Sequence, residues 1–184
     1  MNRPGNVLNA KPNLYLIGYR GSGKSTLAPL IAAKLGFRCV DTDKLLEVEI
    51  GQPIADFFRE QGEAAFRHLE SQTLESVSTH ADQVISLGGG SVLAPSNQET
   101  IRQTGRVVWL NCSKGTLAER LTQDQTSGAA RPSLTGRGVV EEIEAVLRVR
   151  EPIYRGLADL IIDVAFAPPE PLAEKIATWW HTGS

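Results

Sequence analysis

The sequence predicts an α/β fold in which a five-stranded parallel sheet lies between two layers of helices. The prediction follows from the alternation of short apolar runs, typical of buried strands, with stretches of helical periodicity. Parallel strands need crossover connections, and helical crossovers cover both faces of the sheet. Because the chain has 184 residues, of which 41% are hydrophobic, we expect one domain over residues 13–184 after a loose tail over residues 1–12.

A glycine-rich turn joins the first predicted strand, residues 14–17, to the first helix. The strand is a short apolar run, and the helix is predicted from apolar residues at helical spacing, namely Leu27, Leu30, Ile31 and Leu35. Between the two, residues 18–25 read GYRGSGKS and match the phosphate-binding pattern G-x-x-x-x-G-K-[ST]. The flanking strand and helix favour a phosphate-binding turn over an ordinary glycine turn.

The residue types in this turn suit a polyphosphate. Glycines let successive backbone N–H groups point inward, and the N-terminus of the helix adds partial positive charge. Lys24 supplies a full positive charge. Ser25 offers a hydroxyl to Mg2+, which prefers hard oxygen ligands and is often shared with nucleotide phosphates. The turn therefore predicts a site for a nucleotide and its metal ion.

Two carboxylates follow the second predicted strand, residues 37–40. Asp41 and Asp43 lie two residues apart, so they share one side if the extended geometry continues. One of them can then hold Mg2+ through water, while the other accepts a hydrogen bond from a substrate hydroxyl. The alternative is that these residues cap the next helix, which is predicted to start near Lys44.

Two helical stretches follow, over residues 44–48 and 53–77, and a break in the second is expected at Gln61 and Gly62. After the break, an inward stripe is predicted from Phe66, Leu69, Thr73 and Val77. Arg67 lies beside this stripe with Glu70 as its i,i+3 partner. A guanidinium at the edge of an apolar face suits bidentate recognition of a carboxylate, but the spacing supports a solvated surface ion pair equally well.

Three further strands are predicted over residues 83–87, 107–110 and 160–164, with helices over residues 114–121 and 171–180. Gly88, Gly89 and Gly90 directly follow the third strand. In parallel sheets of this kind, ligands bind beyond the carboxyl ends of the strands. We therefore expect the phosphate-binding turn, residues 41–43 and the three glycines to converge at one edge of the sheet.

Residues 124–138 have no sustained periodicity and are rich in small residues, which is typical of a mobile flap. In a phosphotransferase, such a flap closes over the nucleotide, excludes water and delivers Arg131 to the phosphates. A disordered connection is the alternative.

The helix after this segment carries another candidate arginine. Its inner stripe is predicted from Val140, Ile143, Val146 and Leu147, and one more turn adds Arg150. Pro152 predicts that the helix weakens there, so we expect Arg150 at a helix end from which its guanidinium reaches a cavity. A surface arginine is equally compatible with the spacing.

The composition narrows the classes of partner and compartment. A formal net charge of −2 provides no general attraction for nucleic acid or an anionic membrane. No segment of the sequence approaches the ~20 apolar residues needed to span a bilayer. Cys39 and Cys112 both fall in apolar strand-like runs, so we expect reduced, buried thiols and a cytoplasmic protein.

Taken in order, these motifs resemble those of the shikimate kinase family, and the resemblance runs from Gly18 to about Asp163. The matching segments are GYRGSGKST from Gly18, DTD from Asp41, FR..E from Phe66, SLGGGSV from Ser86, RPSLTG from Arg131 and REPIY from Arg150. Many enzymes share the phosphate loop, whereas the ordered set is specific. The resemblance implies a P-loop kinase fold like that of nucleoside-monophosphate kinases, with a substrate-binding helical part near residues 42–80, a lid near residues 124–138 and a monomeric state.

The resemblance further implies transfer of a phosphoryl group from ATP to the 3-hydroxyl of shikimate, with Mg2+, in aromatic amino acid biosynthesis. The residues implied to bind the ATP phosphates are Gly21, Ser22, Gly23, Lys24, Ser25, Thr26 and Arg131. Ser25 and, through water, Asp41 are implied to hold Mg2+. The residues implied to bind shikimate are Asp43, Phe58, Phe66, Arg67, Gly88, Gly89, Gly90 and Arg150. Lys24, Asp43 and Arg131 are implied to be catalytic.

One departure from the family pattern leaves the adenine contacts open. Some members carry a further arginine about seven residues before the flap arginine, where this chain has Asp124. The third strand also ends without an acidic residue, which favours Asp41 as the carboxylate on the metal side.

Two alternative functions stay open. One is a related kinase acting on gluconate or a nucleoside monophosphate, and the other is a nucleotide-regulated switch protein. Against a switch that binds GTP, the sequence has no guanine-reading N-K-x-D-like segment.

Overall fold

The structure of the protein, a computed structural model, describes residues 13–126 and 138–182. Its strands are β1 (Asn13–Ile17), β2 (Arg38–Asp41), β3 (Gln83–Ser86), β4 (Gly105–Asn111) and β5 (Leu160–Asp163). Its helices are α1 (Lys24–Leu35), α2 (Thr42–Ile50), α3 (Ile54–Ser78), α4 (Pro95–Thr104), α5 (Lys114–Thr126), α6 (Val139–Leu157) and α7 (Pro169–Thr182). A short 3-10 helix covers Ser91–Leu93. The predicted α/β fold is confirmed.

The five strands form one parallel sheet in the order β2-β3-β1-β4-β5. After β1 the chain passes β3 to form β2, and after β3 it passes β1 to form β4. Because such crossovers are right-handed, α1 and α4 lie on opposite faces of the sheet. The direction of winding reverses at β1, and α/β sheets bind ligands in the crevice at such a point. The phosphate-binding turn follows β1 and lies in this crevice.

The core is centred on β1, in which every residue is buried. A parallel strand covered on both faces needs apolar side chains on both faces, which explains the uninterrupted apolar run of residues 14–17. The helices around the sheet contribute further fully buried side chains, among them Ile31, Leu74, Ile101, Ile143 and Ile176. This packing holds the carboxyl ends of the strands at one rigid edge.

The helix α4 is missing from the sequence prediction. Of its ten residues, Asn97 and Ile101 are the buried ones. A single apolar residue facing the core does not produce a helical hydrophobic period, so the pattern could not reveal this helix.

Two predicted helix ends are wrong. α5 continues beyond Leu121 to Thr126, and α6 passes through Pro152 to Leu157. Beyond the proline, Tyr154 and Leu157 are both buried. Their packing offsets the cost of the proline, because tertiary contacts routinely override local propensity.

Two residues that were predicted to face the core, Val140 and Leu69, are not buried there. Val140 is 54% exposed, and its neighbour Val139 packs against the core instead. In α3, Leu69 is only half-buried while Glu70 is 3% exposed. The predicted break in α3 is confirmed at Gly62, where the backbone leaves the helical region (φ 81°, ψ 173°).

Several expectations concern residues outside the described ranges. The tail over residues 1–12 and residues 127–137 of the predicted flap, with Arg131, are among them. The backbone of residues 124–126 belongs to α5. Within residues 13–126 and 138–182, no helix combines the length and the apolar character that crossing a bilayer requires.

The prediction that both cysteines are buried holds for only one of them. Cys112 follows β4 and is 8% exposed. Cys39 is exposed because it lies on β2, an edge strand of the sheet. Both residues are free thiols, and partial burial is the main cause that raises the pKa of each.

We expect a thiol reagent such as DTNB to modify Cys39 of the native protein at least about tenfold faster than Cys112, because modification requires an accessible thiolate. The released chromophore gives the two rates, and mass spectrometry of digested samples assigns them. Cys39→Ser should remove the fast phase, whereas Cys112→Ala should leave it unchanged. Equal rates for the two cysteines in the native protein would contradict the edge-strand placement.

Candidate active site

The phosphate-binding turn wraps around the start of α1, with Gly23 at the N-cap position. The backbone N–H of Ser22 donates to the carbonyl oxygen of Tyr19 at 3.2 Å. Lys24 is 8% exposed, and its ammonium donates to the backbone oxygens of Gly18 (2.8 Å) and Tyr19 (3.0 Å). The lysine charge is therefore held inside the loop, next to the partial positive charge of the helix N-terminus.

The beginning of the turn lies directly against β4. A Cβ atom added to Gly18 (φ +146°) would lie 2.7 Å from the backbone oxygen of Leu110 and 2.9 Å from Ser22 Oγ. Any larger residue would force the turn away from the strand. The close approach of two backbones explains this glycine.

Two arginines that the sequence analysis missed fasten the turn to other elements. Arg20, inside the turn, forms an ion pair with Glu142 of α6, which is 1% exposed. Arg120 of α5 donates to the backbone oxygens of Gly21 (3.1 Å) and Val164 (3.0 Å). Position 20 is a variable position of the phosphate-binding pattern, and Arg120 belongs to no motif or periodic stripe in the sequence. These contacts are therefore visible only in the tertiary structure.

Ser25 and Asp41 meet where α1 begins and β2 ends. Ser25 Oγ donates to Asp41 Oδ2 at 2.7 Å. Asp41 is also the N-cap of α2, because its Oδ1 accepts from the backbone N–H groups of Asp43 (3.1 Å) and Lys44 (3.3 Å). Each carboxylate oxygen thus has its own partner, and the capping bonds do not prevent contact with a ligand.

The expectation that Asp43 shares a side with Asp41 through extended geometry is wrong, because α2 begins at Thr42. The Thr42 hydroxyl donates to the backbone oxygen of Ser86 and accepts from the N–H of Gly88, both at 3.2 Å. These bonds join α2 to the end of β3. As a result, Asp43 Oδ1 lies 2.8 Å from the position that a Cβ atom on Gly88 would occupy.

Arg67 is held by one buried and one exposed carboxylate. Its Nη1 donates to Glu70 Oε2 at 2.7 Å, while Nε and Nη2 each lie 3.3 Å from Glu63 Oε1. The other oxygen of Glu70 accepts from Ser91 Oγ at 2.7 Å. The contact with Glu70 is partly buried, since the side chain of Glu70 is 3% exposed and that of Arg67 is 26% exposed, unlike the solvated ion pair that the spacing also allowed. The pair with Glu63, whose side chain is 63% exposed, is of that solvated kind.

Phe58 and Phe66 lie on the two sides of the kink in α3. Their ring centres are 5.7 Å apart, with an interplanar angle of 56°. Phe66 is 6% exposed and Phe58 is half-buried. The guanidinium carbon of Arg67 lies 5.3 Å from the centre of the Phe66 ring. The two rings form an apolar surface beside a cation.

Charged side chains pack directly against the glycine loop, which we define as residues 88–90. A Cβ atom on Gly89 would lie 3.2 Å from Arg150 Nη1, and one on Gly90 would lie 2.7 Å from Arg67 Nη2. Arg150 is half-buried in the body of α6 and not at a helix end, which corrects the expectation based on Pro152. The structure thus brings the two predicted arginines together at one loop.

A cleft of about 490 Å³ joins the phosphate-binding turn to the glycine loop. Its polar lining includes Arg20, Gly21, Ser22, Gly23, Lys24, Ser25, Thr26, Asp43, Gly89 and Arg120. Its apolar lining includes Val164, Ala167, Pro169 and Leu172. Phe58, Phe66, Arg67 and Arg150 do not line this cleft, but the two arginines contact the loop that borders it.

The oxygen atoms at the start of α1 fit a cation that is shared with a nucleotide. Among the described residues, no three His, Cys, Asp or Glu side chains cluster as a dedicated metal site. Mg2+ in nucleotide sites uses few protein ligands and completes its shell with phosphates and water. Because the Ser25 hydroxyl donates its hydrogen to Asp41, its lone pairs remain available to such an ion.

Comparison with known proteins identifies the family. A family model described as shikimate kinase matches residues 20–180. The chain is 44% identical to a shikimate kinase of Rhodopirellula baltica over 153 residues (83% of this chain, 82% of the relative). It is 43% identical to shikimate kinase 2 of Photorhabdus laumondii over 166 residues (90% and 91%). The solved structure of shikimate kinase from Acinetobacter baumannii in complex with shikimate superposes with a TM-score of 0.87 at 29% identity, covering 95% of each chain. The chain belongs to the shikimate kinase family.

Proposed function

We propose that this protein transfers the γ-phosphoryl group of ATP to the 3-hydroxyl of shikimate, giving shikimate 3-phosphate and ADP. The proposal rests above all on the cleft in which Lys24 and the phosphate-binding turn face Asp43 and Gly89. Phosphoryl transfer needs its donor and acceptor oxygens close together and roughly in line, and most of its catalysis consists of positioning and charge stabilisation. A single cleft with a phosphate cradle and a carboxylate meets this requirement.

On the nucleotide side, we assign the ATP phosphates to Gly21, Ser22, Gly23, Lys24, Ser25 and Thr26. The Lys24 ammonium donates to two carbonyl oxygens of its own loop, so its positive charge lies in the loop that is proposed to hold the phosphates. Its charge stabilises the negative charge that spreads over the transferring oxygens in the transition state. Arg131 is assigned to the same task from the flap.

We assign Mg2+ to Ser25 directly and to Asp41 through water. An ion held there would neutralise part of the charge of the ATP phosphates. The two N-cap hydrogen bonds fix one oxygen of Asp41. The carboxylate is therefore already oriented before a ligand arrives, which lowers the cost of ordering it.

On the acceptor side, Arg67 and Arg150 can bind one carboxylate between them. Glu70 occupies only one edge of the Arg67 guanidinium, and the exposed Glu63 holds the Nε–Nη2 edge through 3.3 Å contacts. An acceptor carboxylate can replace Glu63 on that edge, which has the fork geometry suited to bidentate binding. Phe58 and Phe66 then provide an apolar wall for the ring.

We assign Asp43 the role of orienting the attacking hydroxyl and accepting its proton. The residue lines the cleft beside the phosphate-binding turn and approaches the glycine loop closely. A carboxylate that accepts a hydrogen bond from the acceptor hydroxyl orients that hydroxyl, so that a lone pair of the hydroxyl oxygen points at the γ-phosphorus.

The rival functions differ in the chemistry that they require. Gluconate also carries a carboxylate, but it is an open chain and gains less from two aromatic walls. A nucleoside monophosphate needs a surface for its base and a phosphate site on the acceptor side. A nucleotide-regulated switch needs no acceptor site.

We further propose that the protein is monomeric and cytoplasmic. The two free thiols suit a reducing compartment.

Shikimate should stimulate ADP release from Mg-ATP by at least about tenfold, because it supplies the hydroxyl that the site is proposed to phosphorylate. A coupled ADP assay with shikimate, gluconate and nucleoside monophosphates measures the preference, and NMR locates the new phosphate at the 3-hydroxyl. Chelation of Mg2+ should abolish the stimulation. A higher kcat/KM for gluconate or for a monophosphate would reject the proposal.

Asp43→Asn should lower the single-turnover rate of transfer about 100-fold or more, because the amide cannot accept the proton of the hydroxyl. Calorimetric titration should show shikimate binding within about threefold of wild type. Asp56→Asn is the matched control, since Asp56 pairs with Arg59 on the exposed side of α3. A normal transfer rate in Asp43→Asn would exclude the base role.

Gly90→Ala should raise the KM for shikimate by up to about tenfold while the KM for ATP stays within about twofold. The added methyl would displace the Arg67 guanidinium, whereas the backbone of Gly90 (φ −99°, ψ −10°) accepts alanine without strain. Gly115→Ala is the control, because a Cβ atom there meets no atom within 4 Å.

A double-mutant cycle makes the Gly90 test sharper. If the methyl acts through Arg67, adding Gly90→Ala to Arg67→Ala should produce no further rise in the KM for shikimate. A full additional effect in the double variant would show that the methyl acts elsewhere.

A further inference from the structure

A buried tyrosine hydroxyl holds the backbone of the glycine loop. Tyr154 of α6 has no exposed surface, and its hydroxyl donates to the carbonyl oxygen of Gly89 at 2.6 Å. Its ring packs against Trp109 of β4, with the ring centres 5.8 Å apart and an interplanar angle of 39°. The tyrosine is therefore fixed at both ends, by the sheet and by the loop.

Gly89 lies where the two halves of the site meet. A Cβ atom there would be 3.2 Å from Arg150 Nη1, 3.3 Å from the carbonyl oxygen of Gly18 and 3.6 Å from the Tyr154 hydroxyl. The Gly18 oxygen is one of the two that accept from the Lys24 ammonium. A change in the orientation of the Gly89 peptide would thus alter contacts with the phosphate-binding turn and with Arg150 on the acceptor side.

We propose that Tyr154 is a positioning residue whose hydrogen bond to Gly89 holds the glycine loop in the orientation that lets Arg67 and Arg150 bind the acceptor carboxylate together. The peptide unit is planar, so fixing the carbonyl of Gly89 also fixes the N–H of Gly90. Glycines populate many backbone conformations, and a run of three needs an external bond to select one. This inference rests on the proposed function.

The hydroxyl acts as a donor of a hydrogen bond and not as an acid or base. Burial raises the pKa of Tyr154 to about 12, and it outweighs the opposite effect of the charge of Arg150 and of its hydrogen bond to the tyrosine. Tyr19 and Glu70 act more weakly, in the same direction as burial. The hydroxyl therefore keeps its proton throughout the working range of pH.

A second buried tyrosine provides a matched control. Tyr15 of β1 also has no exposed surface, and its hydroxyl bonds to Ser78 Oγ (2.8 Å) and Thr104 Oγ1 (2.7 Å). Ser78 and Thr104 are the last residues of α3 and α4, and neither they nor Tyr15 line the cleft. Tyr15→Phe and Tyr154→Phe each remove one hydrogen-bonded hydroxyl from a buried tyrosine and keep the ring, and only the Tyr154 hydroxyl contacts the glycine loop.

Tyr154→Phe should raise the KM for shikimate about fivefold or more, with the KM for ATP within about twofold and kcat less affected than the KM for shikimate. Tyr15→Phe should leave all three constants near the wild-type values, even where it lowers Tm. The ratio between Tyr154→Phe and wild type should stay constant from about pH 7 to about pH 10, since the hydroxyl does not titrate there. A ratio that changes with pH, or an unchanged KM for shikimate, would overturn the inference.

Hydrogen exchange of the ligand-free protein separates this inference from the proposed function. The N–H groups of Ser91 and Leu93 donate to the carbonyl oxygens of Gly88 (3.1 Å) and Gly90 (3.0 Å), so their exchange reports the order of the loop. We expect faster exchange in Tyr154→Phe than in wild type and no change in Tyr15→Phe. Unchanged exchange in Tyr154→Phe would refute the positioning role. A further outcome is that wild type fails to phosphorylate shikimate while Tyr154→Phe still increases exchange in the loop. That result would reject the proposed function but would support the role of Tyr154 in ordering the glycine loop.

Discussion

The close approach of charged side chains to the backbone of the glycine loop is the constraint on which the rest of the site depends. Arg67, Arg150 and Asp43 come from three different helices and lie where side chains of the loop would otherwise be. Only residues without a Cβ atom leave this space. The three glycines therefore form a surface against which two cations and a carboxylate pack, all three of them proposed to act on the acceptor.

Paired charges make this arrangement stable in a protein with a net charge of −2. Glu70 and Glu142 are almost fully buried, and each is paired with an arginine. A buried carboxylate without a partner would be costly, so pairing with an arginine offsets the cost of burying each one. In both pairs the arginine also serves the site: Arg67 faces the glycine loop, and Arg20 belongs to the phosphate-binding turn. The local cations thus supply the positive charge that the proposed anion sites need in a weakly acidic protein.

The sheet couples the two halves of the site. The phosphate-binding turn follows β1 and the glycine loop follows the adjacent β3, so a rigid pair of strands sets their separation. Tyr154 reaches Gly89 from α6, whose other end carries Glu142 and its bond to Arg20. One helix therefore contacts both the glycine loop and the phosphate-binding turn. The function follows from this placement, because phosphoryl transfer depends on distance and alignment more than on a reactive side chain.

The sequence by itself determined the parallel α/β fold, the phosphate-binding turn and the edge at which the site lies. These follow from local periodicity, from a short pattern with its flanks and from the rule that ligands bind beyond the carboxyl ends of parallel strands. The tertiary structure alone decided the burial of Glu70, the partners of Arg20 and Arg120, the position of Arg150 within α6 and the hydrogen bond of Tyr154. The physical reason is that these contacts join residues on different elements, many of them far apart in the chain, and depend on how helices pack. Spacing along one element indicates which residues share a face, but it does not specify which residues of another element lie against them.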